Sequence, residues 1–259
     1  MLSQKSLNTM NKQQIFQYIA RSYADARRFT ASYSGPENPF VPYVGKKIAI
    51  SWSGGKDSCY TLLKAKELWL DVKYLFNLTN PEETISLTWA YNLDIIKEQA
   101  RQLNIPLLTI PSIGKPEHIF SELCDFFVKE WIESIGAGHY LPTGQREFFQ
   151  KLLYPRWMSL FEPNLWKNKK SHIEEIIQLG IVQKIVLVKE EEISSSFLWK
   201  TLDQNFLEYL DKIPNFQDFA WEISTYQTIV VDCPYFEKKL EFSDFYDFKV
   251  WDYRIHYYF

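Results

Sequence analysis

The period of apolar and polar positions changes several times along this chain, and each change marks an element. Lys-Ile-Ala-Ile-Ser-Trp (47–52) is a short apolar run of the kind a buried strand shows. Beyond Ser53–Ser58 the spacing becomes helical through about Leu70, with Cys59, Leu62, Leu63 and Leu68 on one side. Val72–Leu78 reads as a second strand. Asn92–Leu103 predicts a helix, because Leu93, Ile96, Ala100 and Leu103 recur at helical intervals. Pro106–Ile110 is a third strand. A helix is expected over Glu117–Ile135, with Phe120, Leu123, Phe127 and Trp131 facing inward, and a fourth strand over Ala137–Leu141. Such alternation predicts an α/β fold, a Rossmann-like parallel sheet with helices on both faces. Its strands then end at one edge, where ligands bind.

The second half is less regular. Gln145–Phe161 predicts a helix broken at Pro155, and Ser171–Leu179 a helix closed by Gly180. Ile181–Val188 is a strand, Phe197–Leu210 a helix, and Thr228–Val231 a strand running into Asp232-Cys233-Pro234. At the other end, Asn11–Phe29 reads as a helix and Thr30–Gly45, rich in Ser, Gly and Pro, as a linker. The expected organisation is an N-terminal extension over 1–45, a nucleotide-binding α/β domain over 46–161, and a smaller α+β substrate domain over 162–259.

Composition narrows the function. The net charge of −3 speaks against a protein whose main work is gripping RNA or DNA. Aromatic residues reach 17%, which points to ring-filled cores and interfaces. The tail Trp251–Phe259 is expected either to pack on the core or to meet a second copy in a homodimer. No run of 18 apolar residues is present, and Met1–Thr30 lacks the apolar core of a signal peptide. Cys59, Cys124 and Cys233 form no paired motif, so neither a disulfide framework nor a zinc site is expected. These features together predict a soluble cytoplasmic protein.

The chemistry concentrates in Ser53-Gly54-Gly55-Lys56-Asp57-Ser58, between a strand and a helix. The two glycines permit a tight turn and close approach of backbone to ligand. The N–H groups at a helix start favour an anion. Ser53 and Ser58 can donate hydroxyl hydrogen bonds, and Lys56 adds positive charge. Asp57 would repel a phosphate unless a cation lay between, which implies Mg²⁺; as an alternative it simply caps the helix. The loop is not a Walker A motif, since Ile50 stands where its first glycine belongs and Asp57 where its Ser or Thr belongs.

At these residues the chain resembles the PP-loop ATP pyrophosphatase superfamily, whose signature is SGGxDS. The resemblance implies that Ser53–Ser58 hold the pyrophosphate end of ATP. Further segments resemble the diphthine–ammonia ligase family: Ser86–Leu108, Gln145-Arg146, Leu165-Trp166, Leu198–Leu202 with Asp203, and Glu222 with Tyr226–Phe236. That family amidates a carboxylate of diphthine on elongation factor 2, using ATP and ammonia and releasing AMP and pyrophosphate. The resemblance makes Lys56, Asp57 and Glu222 the expected catalytic residues, and Gln145, Arg146, Glu222, Tyr226 and Asp232 the expected substrate contacts.

The chain also departs from the family. A Gly-Glu-x-Gly-Glu segment is replaced by Trp221-Glu222-Ile223-Ser224-Thr225, a Ser-Asp-Tyr segment by Pro142-Thr143-Gly144, and a histidine of bacterial relatives by Trp89. An intact nucleotide loop beside an altered acceptor segment leaves three readings open. They are an ATP-dependent amide ligase, a tRNA-modifying adenylating enzyme, and a nucleotide-binding protein with little turnover.

Overall fold

The computed structural model describes residues 45–87, 91–138, 143–165, 167–214, 216, 225–242 and 245–258. The sequence expectations for Asn11–Phe29 and for residues 30–44 lie outside the described residues, as do Trp89 and Glu222. Among the described residues no helix is long and apolar enough to cross a membrane.

Five parallel strands form the first sheet: β1 (Lys47–Ser51), β2 (Asp71–Thr79), β3 (Leu107–Pro111), β4 (Ser134–Gly136) and β5 (Ser159–Phe161). Their spatial order is β3-β2-β1-β4-β5. The connecting helices are α1 (Lys56–Glu67), α2 (Leu93–Leu103), α3 (Pro116–Lys129) and α4 (Thr143–Leu153). One apolar cluster joins Ile48, Ile50, Leu62, Leu75, Ile96 and Leu103, and another joins Ala49, Phe76, Leu123, Phe127 and Ile135. Alternate residues of β1 thus feed different clusters, as period-two strand geometry requires of a sheet covered on both faces.

The helix limits have local causes. Asn92 caps α2 by accepting from Asp94 N–H, and Asn104, at φ 51°, ends it. Pro116 opens α3 in the first turn. The helix predicted through Leu70 stops at Glu67, because Trp69 turns left-handed at φ 63°. The helix predicted through Ile135 stops at Lys129 for a similar reason: Trp131 adopts φ 59° and is 77% exposed instead of facing inward. The fourth strand accordingly begins earlier than expected, at Ser134. Likewise the helix expected to reach Phe161 ends at Leu153. A 3-10 turn over Tyr154–Arg156 follows, and Ser159–Phe161 is β5.

The second sheet is antiparallel, in the order β7-β6-β9-β8, with β6 (Val182–Lys189), β7 (Tyr226–Asp232), β8 (Phe245–Val250) and β9 (Tyr253–Tyr258). The aromatic tail is therefore part of this sheet, β9 pairing with β6. Two helices pack on it, α5 (Lys169–Gln178) and α6 (Gln204–Leu210), around Ile173, Ile185, Phe206, Leu207 and Tyr226. The helix predicted over Phe197–Leu210 is shorter than expected. Asp203 accepts from Phe206 N–H and starts α6 there, while Ser195–Phe197 is a separate 3-10 turn.

Candidate functional site

The loop after β1 sits where the chain reverses its direction across the sheet. From β1 the chain builds outward to β2 and β3, then crosses back to β4 and β5. In doubly wound sheets a crevice opens at this point, beyond the carboxyl ends of the strands.

Gly54 adopts φ +81°, and a Cβ there would lie 2.4 Å from Ile96 Cδ1 and 2.9 Å from Gln99 Oε1. Only glycine fits both the dihedral and the space. Gly55 is the N-cap of α1 and provides no capping side chain, so the first N–H groups of the helix face the loop without one. Ser53 Oγ donates to Ser58 Oγ at 3.1 Å, and Ser58 Oγ donates to the Gly55 carbonyl at 3.0 Å. On the β4 side, Gly138 passes so close to α1 that a Cβ would meet the Asp57 carbonyl oxygen at 2.4 Å.

The second sheet shapes the loop from the other side. Val230 N–H of β7 donates to the Gly54 carbonyl at 2.9 Å. Gln99 of α2 donates through Nε2 to Gly54 O at 3.0 Å and to Val230 O at 2.8 Å. Its Oε1 accepts from Trp52 Nε1 at 2.9 Å. Tyr91 OH donates to Thr228 O at 2.9 Å. The loop therefore lies between α2 and β7, with the Gly54 and Gly55 carbonyls both paired.

Charged groups complete the arrangement. Lys56 is buried, with Nζ 2.7 Å from Asp57 Oδ2 and 5.9 Å from the centre of the Tyr226 ring. The other carboxylate oxygen, Asp57 Oδ1, accepts from Nε2 of His172 at 2.8 Å. Burial alone would raise the Asp57 carboxyl, but Lys56 and His172 outweigh it and hold the group well below the usual carboxylate range. Asp57 is therefore ionised.

His172 belongs to the first turn of α5 and is 4% exposed. Its ring meets Tyr60 edge-on, with centroids 4.6 Å apart. Behind it, Glu175 accepts from Tyr60 OH at 3.0 Å and pairs with Lys64 at 2.6 Å and with Lys167. Burial would raise the Glu175 carboxyl, but the two lysines draw it down to about 2. The same burial and the Glu175 charge push the Tyr60 hydroxyl far up, so it stays protonated and donates.

The expected site residues are thus placed unequally. Ser53, Gly54, Gly55, Lys56, Asp57 and Ser58 form the loop, and Tyr226 lies against Lys56. Asp232 ends β7 opposite Val182, two residues beyond the Val230 contact with the loop. Arg146, on α4, pairs through Nε with Glu162 Oε2 at 3.0 Å. Glu162 follows β5, and its side chain is 3% exposed; burial outweighs the Arg146 charge and raises its carboxyl to about 7. The Gln145 side chain and Glu222 lie outside the described residues. The three cysteines carry free thiols, and Cys59 of α1 and Cys233 just after β7 are buried in the same cluster. His172, Gln99 and Glu162 were not among the expected site residues. Each is polar, buried and in contact with the loop or the edge beside it, which spacing alone could not reveal.

The diphthamide synthase N-terminal domain matches residues 46–154, and the diphthamide synthase C-terminal domain matches residues 168–259. The chain belongs to the diphthamide synthase family. Within this family match, the loop and Gln99 fall in the first segment, and His172 and β7 fall in the second. The site is built from both.

Among solved structures, the chain is similar to Candida glabrata FMN adenylyltransferase in complex with FMN and the ATP analog AMPCPP. Identity is 18%, the TM-score 0.38, and the match covers 65% of this chain and 59% of that one. The chain thus spans less than two thirds of that adenylyltransferase's length. It is also similar to the U34-tRNA thiolase NcsA of Methanococcus maripaludis with its [4Fe-4S] cluster. There the identity is 14%, the TM-score 0.38, and the cover 80% of this chain and 76% of that one. The comparison with curated proteins gave no match.

Proposed function

We propose that this chain is an ATP-dependent, AMP-forming amide ligase of the diphthine–ammonia type. The observation that carries the reading is the loop at the sheet's reversal point. There Gly54 and Gly55 open the N-terminus of α1, with Ser53, Ser58 and Lys56 around it. Helix N–H groups, hydroxyls and an ammonium together suit the β and γ phosphates of a nucleotide.

A carboxylate of the acceptor attacks the α-phosphorus of ATP. A C–O–P link forms, the α–β bridge breaks, and pyrophosphate leaves with the electron pair. Lys56 and the N–H groups of the loop offset the charge that grows on pyrophosphate. Ammonia or an amine then attacks the acyl carbon of the adenylate. The amide forms, AMP departs and the nitrogen gives up a proton. Gln145, Arg146, Glu222, Tyr226 and Asp232 are the candidates for meeting the acceptor.

Magnesium fits this site as a partner of nucleotide phosphate. Among the described residues no group of three His, Cys, Asp or Glu side chains could cage a metal. Mg²⁺ commonly needs only one or two carboxylates beside phosphate and water. Asp57, ionised and next to the loop, is the residue that would hold it. When bound, the ion would neutralise phosphate charge.

The test is to incubate the chain with Mg²⁺, ATP, ammonium and the diphthine form of elongation factor 2, and to identify nucleotide products by mass spectrometry. AMP and pyrophosphate are expected, with Asp57→Ala and Lys56→Ala each slower by about 100-fold or more. ADP as the product, or wild-type rates in both variants, would overturn the proposal.

A further inference from the structure

The two oxygens of Asp57 have different partners. Oδ2 is 2.7 Å from Lys56 Nζ, and Oδ1 is 2.8 Å from His172 Nε2. The partners differ in freedom. Lys56, in the first turn of α1, is also buried, but its ammonium ends a flexible stem that an arriving phosphate can draw away from Oδ2. His172 cannot follow. Its ring is 4% exposed and packed edge-on against Tyr60. Its helix is capped by Asn168 and tied to α1 through Glu175, which reaches Lys64 at 2.6 Å and Tyr60 at 3.0 Å.

The second ring nitrogen points the same way. An ionised carboxylate only accepts, so His172 Nε2 donates to it, and Nδ1 is the ring nitrogen left over. Nδ1 is buried and has no hydrogen-bond partner among the described residues. A buried polar atom left unsatisfied costs stability.

We propose that His172 is a positioning residue that fixes Asp57 by one oxygen, so that the other is released by Lys56 to face magnesium when the triphosphate of ATP arrives. The inference rests on the reading of the loop as an ATP site. It assigns the C-terminal half of the chain a part in aiming the carboxylate of the N-terminal half. Outer partners of this kind orient ligand groups, and their loss commonly lowers metal affinity by about 10–100-fold.

The experiment is calorimetric titration of ATP into the full chain, with and without Mg²⁺, for wild type, His172→Leu and His172→Gln. Thermal melts of each run alongside. Leu keeps apolar volume but cannot donate; Gln carries an amide donor. His172→Leu is expected to bind free ATP within about twofold of wild type and Mg²⁺–ATP about 10-fold or more weakly. His172→Gln should recover most of the difference. Equal Mg²⁺ enhancement in wild type and His172→Leu would overturn the inference and leave the ATP reading standing. So would a Leu variant that loses both modes of binding in proportion to its melting point, with no rescue by Gln, since that is a packing role. A wild-type chain that binds no ATP would overturn the ATP reading itself, and the inference with it.

Discussion

Gly54 lacks a side chain for two separate reasons, a φ of +81° and a wall formed by Ile96 and Gln99. Gly54→Ala therefore has to distort the loop or push those neighbours away. The expected cost is about 1–3 kcal/mol in urea unfolding, with ATP binding lost more severely than stability. Glu162 offers a prediction of another kind. Its folded carboxyl value, about 7, exceeds the ordinary 4.5, so folding favours the protonated form. Its contribution to stability is full below about pH 4.5 and is lost as the pH rises through 7. Gln does not titrate. The stability of wild type relative to Glu162→Gln should thus fall by an amount on the order of 3 kcal/mol between about pH 4.5 and pH 8. A difference that stays flat over that range would show that the burial of Glu162 has no such effect.

Among the elements, β7 has the most influence on the site, because it gives the loop carbonyl of Gly54 a backbone donor that the first sheet does not supply. Gln99 bridges the two, with three hydrogen bonds from a fully buried amide. Gln99→Ala should destabilise the chain by about 2–3 kcal/mol, since each lost bond is worth about 1 kcal/mol and leaves a buried partner. ATP affinity should fall as well; a variant that melts early yet binds ATP normally would show that loop shape does not depend on this bridge. Much of this layout was legible in the sequence. The short apolar run before Ser53 gave β1, the helical spacing of Leu93 to Leu103 gave α2, and the loop itself was plain. The α3–β4 junction was not. Phe120, Leu123, Phe127 and Trp131 keep helical spacing, but the backbone turns left-handed at Trp131 and leaves that ring in solvent. β8 and β9 were also missed, because a hairpin in which half the strand residues are Phe or Tyr shows no clean alternation of apolar and polar positions. His172 was invisible for a simpler reason: it is 115 residues from Asp57.

Across the molecule, two sheets of different kinds meet at one loop. The parallel sheet supplies the loop and its helix; the antiparallel sheet supplies the strand and, through α5, the histidine that complete it. Ile229, Val230 and Val231 of β7 are all buried in the same cluster as Ile50 and Leu62. Substitutions there should behave as core changes do. Ile229→Ala is expected to cost about 2–5 kcal/mol, read from the urea midpoint, and to weaken ATP binding although Ile229 is 175 positions from Gly54 (229 − 54 = 175).

The bond between Val230 N–H and the Gly54 carbonyl also bears on the chain during its synthesis. The loop is synthesised well before the amide that shapes it. A nascent or prematurely terminated product lacking residue 230 would own the signature without its working form. Such fragments should not consume ATP, so activity waits on the synthesis of β7.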